Sequence, residues 1–229
     1  MKIDPRLVLE QLKTAPGEVL EGAEMPVLTE DGRRLGALVP ITRSLAQEPG
    51  VAALLTRWRE ANKRFFFTQF ATNEERTALW LERGILGDAG RVLFFICDEN
   101  GARLGHYGLT GVREGHAELD NLIRGERGGD RRLVYYAEVA LLAFAFERLG
   151  AEAVMLRAFA NNVLATAIHD EIGFVRERNE PLVQEESPEG VVWKPAPPGA
   201  TPERELVVMR LDRERFGQRL AWATARKGM

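Results

Sequence analysis

Residues 117–133 read AELDNLIRGERGGDRRL, and residues 134–150 continue VYYAEVALLAFAFERLG. The first seven residues alternate as a strand does, and the second stretch is apolar nearly all round, as a buried helix is. Between the two lie Gly125, Gly128 and Gly129 together with Arg124, Arg127, Arg131 and Arg132. A helix start carries unpaired N–H groups and the positive end of the helix dipole, and glycine lets an anion approach them without a Cβ in the way. The stretch is therefore read as an anion-binding loop between a strand and a helix predicted over 131–149. Strict alternation puts Glu118, Asp120 and Leu122 on one face of the strand and Leu119, Asn121 and Ile123 on the other. Two carboxylates on one face of an interior strand are costly to bury unless that face lines a solvated cleft.

Working back from this stretch, residues 91–124 read as three consecutive antiparallel strands. Glu99-Asn100-Gly101 turns between the first two, and a loop at 113–115 joins the next pair. Upstream, Val51, Leu54, Leu55 and Trp58 recur at helical spacing and predict an amphipathic helix ending near Asn62. Phe65, Phe66 and Phe67 follow as a loop or short extended piece, with core packing favoured over a place in an acceptor pocket. Thr72-Asn73-Glu74-Glu75 then opens a second helix through Leu81. Residues 18–43 carry two β-type runs separated by Glu30-Asp31-Gly32, a hairpin signal, and Asp4-Pro5 starts a short helix over 4–14.

Downstream, residues 153–160 predict a strand. Residues 161–174 predict a helix capped by Asn161 or Asn162 and closed by Gly173, after which 174–182 leave as a strand. Residues 184–204, rich in Pro, Glu and Gly, are read as a long surface loop. Residues 205–211 are read as a closing strand, and the rest as a peripheral helix.

With 229 residues, 45% of them hydrophobic, the chain predicts one domain with decorated ends: a helix and hairpin over 1–40, a core over 41–211 and a helical tail over 212–229. A formal net charge of -3 gives no support for a nucleic-acid binder or a membrane-surface protein. One cysteine, Cys97, lies in an apolar run and reads as a buried thiol. No apolar run reaches the length of a membrane span, and the start carries no signal-peptide pattern, so a cytoplasmic location is expected. Neither a G-x-G-x-x-G after a βαβ strand nor a G-x-x-x-x-G-K-[ST] loop is present.

Two patterns carry a family resemblance: the Gly/Arg loop after the meander, and Asn162, Ala165, Ile168, His169, Gly173 and Phe174 in the order N-x-x-A-x-x-I-H-x-x-x-G-F. On these residues the chain resembles the GNAT superfamily of acyl-CoA N-acyltransferases over roughly 41–211. The resemblance implies an α/β fold of the α+β kind, with a central, mixed but mostly antiparallel sheet flanked by helices. It also implies acetyl-CoA or another acyl-CoA as co-substrate, with no metal.

The family loop, Q/R-x-x-G-x-G/A, is matched only in part, since Arg127 stands fourth from Arg124 and Gly129 sixth. The resemblance assigns the cofactor's phosphates to Arg127, Gly128, Gly129, Arg131, Arg132 and Leu133. Its pantetheine falls to the backbone of Leu122, Ile123 and Arg124, with a further contact from Asn162. His169 stands where the family has a tyrosine that protonates the departing thiolate, a task imidazole can also perform. Asp120, followed by Glu118, is the expected general base, with His106 and His116 behind them.

The expected reaction moves an acetyl or short acyl group to a primary amine of a small molecule. The stretch LDNLIRGE is similar to members that acylate nucleotide-linked amino sugars, while peptide N-termini, amino acids and polyamines stay open. So do a homodimer, a non-catalytic acyl-CoA-binding or protein-interaction module, and a nucleotide-binding use of the loop.

Overall fold

The computed structural model describes residues 4–14 and 24–224. Its frame is one ten-stranded sheet in the order β1-β2-β4-β5-β6-β7-β10-β8-β9-β3. The strands are β1 Met25–Leu28, β2 Arg34–Pro40, β3 Thr68–Phe70, β4 Val92–Asp98, β5 Arg103–Arg113, β6 His116–Arg124, β7 Ala153–Phe159, β8 Val175–Ser187, β9 Gly190–Pro195 and β10 Arg204–Asp212. Strand β4 is buried along nearly its whole length because its residues are apolar on both faces. Val92, Phe94 and Ile96 meet one core, and Leu93, Phe95 and Cys97 meet another. The first core is filled by α5 (Leu133–Glu147), with Leu9 and Leu12 of α1 (Pro5–Leu12) and Phe216 of α7 (Arg213–Arg219). The second is filled by α3 (Val51–Asn62) and the helix that follows it, with Leu45 and Ala46 of the short α2 (Arg43–Ala46) packed against it.

Helix α5 has no polar face because ten of its fifteen residues are buried. Each fully buried Leu, Phe or Val contributes roughly 1.5–3 kcal/mol of transfer free energy, so this one helix anchors much of the fold. It crosses from β6 to β7, which are paired in parallel; every other neighbouring pair of the sheet is antiparallel. The β6–β7 ladder runs only from His116 opposite Ala153 to Leu119 opposite Leu156. Beyond it β6 continues to Arg124 beside β5, and β7 to Phe159 beside β10, so the sheet parts at its middle.

Several sequence expectations change. The predicted alternation of β6 fails at Asn121, which has φ 56°. Opposite the two steps from His106 to Gly108 on β5, β6 takes three, from Ile123 to Asp120, so it carries a bulge. Leu122 consequently turns to the α5 core while Ile123 joins the α3 core, the reverse of their predicted faces.

Residues 184–204 are not one long loop. Strands β8 and β9 form a hairpin about Pro188-Glu189, with Ser187 opposite Gly190, and β3 pairs onto its outer edge. Charged residues and prolines are tolerated there because strands near a sheet's edge need not be apolar on both faces. Strand β10 lies between β7 and β8 rather than closing the sheet. The helix opened by the Asn73 cap, α4 (Glu74–Leu79), continues as a π-helical stretch, Trp80–Leu86. In the C-terminal segment Phe216 is fully buried against Phe146, with ring centroids 5.0 Å apart. The predicted hairpin over 18–43 is present as β1 and β2, while its first residues, 18–23, lie outside the described residues.

Candidate active site

The parting of the sheet leaves the edge of β6 from Asp120 onward without a strand beside it, and the bulge at Asn121 sets which side chains face it. Asp120 Oδ2 accepts from Arg91 Nη2 at 3.0 Å and from Asn121 Nδ2 at 2.6 Å. Oδ1 takes part in neither bond. Burial pushes the Asp120 carboxyl above its ordinary pKa, and Arg91 opposes this only in part. A raised carboxylate is a stronger base once ionised, which suits proton removal from an ammonium group.

Across the bulge, His106 is buried and its Nδ1 lies 2.7 Å from the carbonyl oxygen of Asn121. A carbonyl can only accept, so Nδ1 carries the proton. Nε2 is then an acceptor while the ring is neutral. Burial pushes the imidazole down to about 4, so it is neutral at physiological pH.

Both residues line a cavity of about 360 Å³ on the α3 side of the sheet. Its apolar wall comes from Leu55, Ile123, Trp80 and three of the four phenylalanines at 65–70: Phe66, Phe67 and Phe70. The sequence favoured core packing for the Phe run. In the structure Phe67 does pack on Phe159, with centroids 4.9 Å apart, yet it also faces the cavity, whereas Phe65 is exposed. The segment 63–70 leaves α3 and crosses to pair with β9, which is what carries these rings over the parted sheet. The charged lining is Arg59, Arg76, Arg91 and Asp120.

Arginine, glycine and tryptophan build the loop at the end of β6. Arg124 Nη2 donates to the carbonyl of Gly128 at 2.6 Å and ties the turn. A Cβ on Gly125 would lie 2.2 Å from the ring of Trp58, so only glycine fits where α3 meets the loop. Glu126 accepts from Trp58 Nε1 at 2.9 Å and pairs with Arg57. Gly129 has φ 61°, left-handed backbone that favours glycine. Asp130 receives the backbone N–H of Arg132 at 2.8 Å and an ion pair from Arg33 at 3.1 Å, which hold its carboxyl below the usual range. Arg127, Gly128, Gly129 and Arg131 are exposed around this turn. Together they form an open, positively charged rim at the start of α5, continuous with the unpaired edge of β6.

A model of the acetyltransferase (GNAT) domain matches residues 38–175, well over half of the chain. This protein belongs to the GNAT acetyltransferase family. Solved structures agree in fold. A T. thermophilus protein assigned as an acetyltransferase superposes with TM-score 0.60 at 22% identity, covering 86% of this chain and 95% of its own. The spermidine N-acetyltransferase of Vibrio cholerae, solved with CoA and spermine, gives 0.57 at 17% identity over 74% of this chain and 94% of its own. A nucleotide-linked sugar GNAT gives 0.56 at 12% over 83% and 94%. No curated protein matches the chain in sequence.

Within this GNAT fold the sequence-predicted site residues divide into groups. Asp120 and Ile123 reach the cavity. Glu118, one turn of the pleat earlier, accepts instead from Arg157 Nε at 2.8 Å, across the closed part of the sheet, and does not line the cavity. Leu122 packs against the α5 core, which leaves its backbone on the open edge. In the loop, Leu133 is buried beneath the turn, and Arg132 is drawn to Glu171 at 2.5 Å with its guanidinium 4.2 Å over the Tyr135 ring. Asn162 stands at the N-cap of α6 (Val163–Ile172), but its side chain makes no capping bond, contrary to the capping expectation.

His169 lies on the opposite side of the sheet from the cavity. It is 4% exposed, and its Nδ1 is 2.7 Å from Oε1 of Glu138, a carboxylate with no exposure at all. Its ring stands 5.7 Å from that of Phe174. Among the residues the sequence did not single out for the site, Arg59 had a signal: it stands four after Leu55 on the same helix face, a charge beside an apolar stripe. Arg91 and Asn121 had none, because their roles depend on the register of β4, β5 and β6.

Proposed function

We propose that this GNAT protein transfers an acetyl or other short acyl group from acyl-CoA to a primary amine through a direct ternary complex. The observation that carries the reading is the meeting of the open β6 edge with the cavity at Asp120. In this reading the pyrophosphate rests on the rim of Arg127, Gly128, Gly129 and Arg131 with Arg132 beside it. Charge-assisted contacts from arginine and backbone N–H groups suit a polyphosphate. The pantetheine pairs with the free backbone groups of Leu122, Ile123 and Arg124, which brings the thioester into the slot between β6 and β7.

Aminolysis needs a neutral amine, a route for its proton and a stabilised leaving group. The acceptor enters from the cavity, where Asp120 removes the proton directly or through water. The amine nitrogen adds to the thioester carbonyl, the C–S bond breaks, and the thiolate takes a proton from the α5 side. His169 is the donor, held by Glu138 and approaching from the face opposite the acceptor.

Calorimetric titration of acetyl-CoA tests the cofactor site, and absence of binding at high micromolar concentration rejects the reading. Thiol release across an amine panel tests the reaction, and a His169→Phe variant should lose turnover more than cofactor affinity. The burial of His169, away from the cavity, favours one second reading, an acyl-CoA-binding module without catalysis. Binding with no thiol release on any amine supports that alternative.

A further inference from the structure

The cavity carries more positive charge than the chemistry of acyl transfer needs. Arg91 is engaged through all three of its nitrogens, with Nε on Thr110 Oγ1 at 2.8 Å, Nη1 on the Gly84 carbonyl at 3.3 Å and Nη2 on Asp120. Arg76 is paired with Glu189 at 2.6 Å. Arg59 differs from both. Its guanidinium carbon lies over Phe66, 3.3 Å from the ring centroid, and Nη2 donates to the Thr68 carbonyl at 2.8 Å. Among the described residues its hydrogen bonds go only to Thr68, and no carboxylate lies within ion-pair distance. Nε and Nη1, three of its five N–H donors, are therefore uncommitted in a residue that lines the cavity. Burial pushes its pKa down to about 10, against the more distant charge of Asp120, so the group is still charged at neutral pH.

A partly desolvated, charged guanidinium held over an aromatic ring is preorganised for a carboxylate, whose two oxygens match its fork. The rest of the wall is aromatic and aliphatic, and the one acidic side chain lining the cavity, Asp120, is already bonded to Arg91.

We infer that the acceptor is an amine that also bears a carboxylate on an apolar, aromatic-sized body, an amino-acid-like molecule whose carboxylate docks on Arg59 while its amine faces Asp120. The inference rests on the acyl-transfer reading for the identity of the amine as acceptor, and on the cavity alone for the carboxylate. It separates this chain from a polyamine enzyme, because a polycation would set a second positive charge against Arg59 with no free carboxylate lining the cavity to meet it.

The test is calorimetric titration of matched pairs into the full chain saturated with CoA: phenylalanine against phenethylamine, tyrosine against tyramine and tryptophan against tryptamine, with spermidine as the polycation. At least one amino acid should bind about tenfold or more tightly than its decarboxylated partner, and spermidine should not bind. Arg59→Gln should erase that preference while leaving the Kd for CoA unchanged. If Arg59→Gln does not fold, Arg59→Lys carries the test and should lose at least half of the preference, because it keeps the charge without the fork. Equal or tighter binding of the decarboxylated amines or of spermidine, a preference untouched in the variant, or no binding of any pair overturns the inference. Thiol release from acetyl-CoA on the same panel is read separately. Carboxylate-dependent binding without release leaves the carboxylate site standing and retires the acyl-transfer reading. Release with the decarboxylated amines at equal efficiency does the reverse.

Discussion

Strand β6 contains two environments separated by a single residue. Up to Leu119 it is paired on both sides, and there Glu118 is neutralised by Arg157 across the ladder. From Asp120 onward it is paired only with β5, and Asp120 faces a cavity with its Oδ2 held by Arg91 and Asn121. The two carboxylates are of one chemical kind and two residues apart. What separates them is the end of the β6–β7 ladder, so the capacity for chemistry here is a property of sheet topology more than of residue type.

The comparison is broken most sharply by removing each charge in turn. Asp120→Asn should reduce kcat by about a hundredfold or more, the usual loss for a general base, with the Kd for acetyl-CoA unchanged. Glu118→Gln should keep most of the activity and lose only its ion pair with the half-exposed Arg157. Equal losses in steady-state assays would dissolve the distinction.

Next in size is the seat of the loop at the open end. Gly125→Ala drives a methyl into the Trp58 ring and should cost about 1–3 kcal/mol in chemical denaturation, with weakened cofactor binding. Addition of Cβ at Gly101, a turn of the closed meander with nothing near it but a φ of 81°, should cost only the backbone strain, about 1 kcal/mol.

A pH experiment sharpens the contrast further. His106 is depressed to about 4 in the folded chain, so below an ordinary histidine value of 6.5 the unfolded chain binds a proton that the folded chain refuses. Its contribution to stability is therefore present above pH 6.5 and lost as pH falls towards 4. Asp120, with a raised pKa, acts with the opposite sign as its carboxyl protonates. Comparing wild type with His106→Gln isolates the first effect, and the variant's melting temperature should fall less steeply between pH 6.5 and 4.

The smallest effect belongs to the rim. Arg127→Ala should weaken acetyl-CoA by about 1 kcal/mol, and less so as salt is raised, because the side chain is exposed and screened. An unchanged Kd with both Arg127→Ala and Arg131→Ala would move the phosphates elsewhere.

Much of this arrangement was legible in the sequence. The meander of β4, β5 and β6 and the buried helix α5 announce themselves because elements buried on all sides must be apolar throughout, and Glu99-Asn100-Gly101 marks a turn by local chemistry alone. The Gly/Arg loop was legible for the same reason. The bulge at Asn121 was not, since nothing in LDNLI distinguishes regular alternation from a strand with one extra residue. That single residue decides whether Leu122 or Ile123 faces the cavity. The β8–β9 hairpin was hidden by its own composition, because Glu185, Glu186 and Pro195 suit a strand near a sheet edge as well as a loop. His106 and Arg59 reach the site through long-range register, which no local pattern encodes, although the charge beside the apolar stripe of α3 was a hint.

Helix α3 has a consequence for how such a protein can diverge. Leu55 and Arg59 look into the cavity, while Trp58 props Gly125 and holds Glu126 in the Gly/Arg loop. The helix is thus a party wall between two rooms. Neighbouring positions on a helix differ by about 100° in direction, so the two tenants can be changed one side chain at a time. Exchanging residues 55 and 59 redecorates the cavity and leaves the loop untouched. Rotating or shifting the wall to widen the cavity pulls Trp58 off Gly125 and unseats the Gly/Arg loop, so new specificities in this lineage are expected to arise by substitution on α3 rather than by its movement.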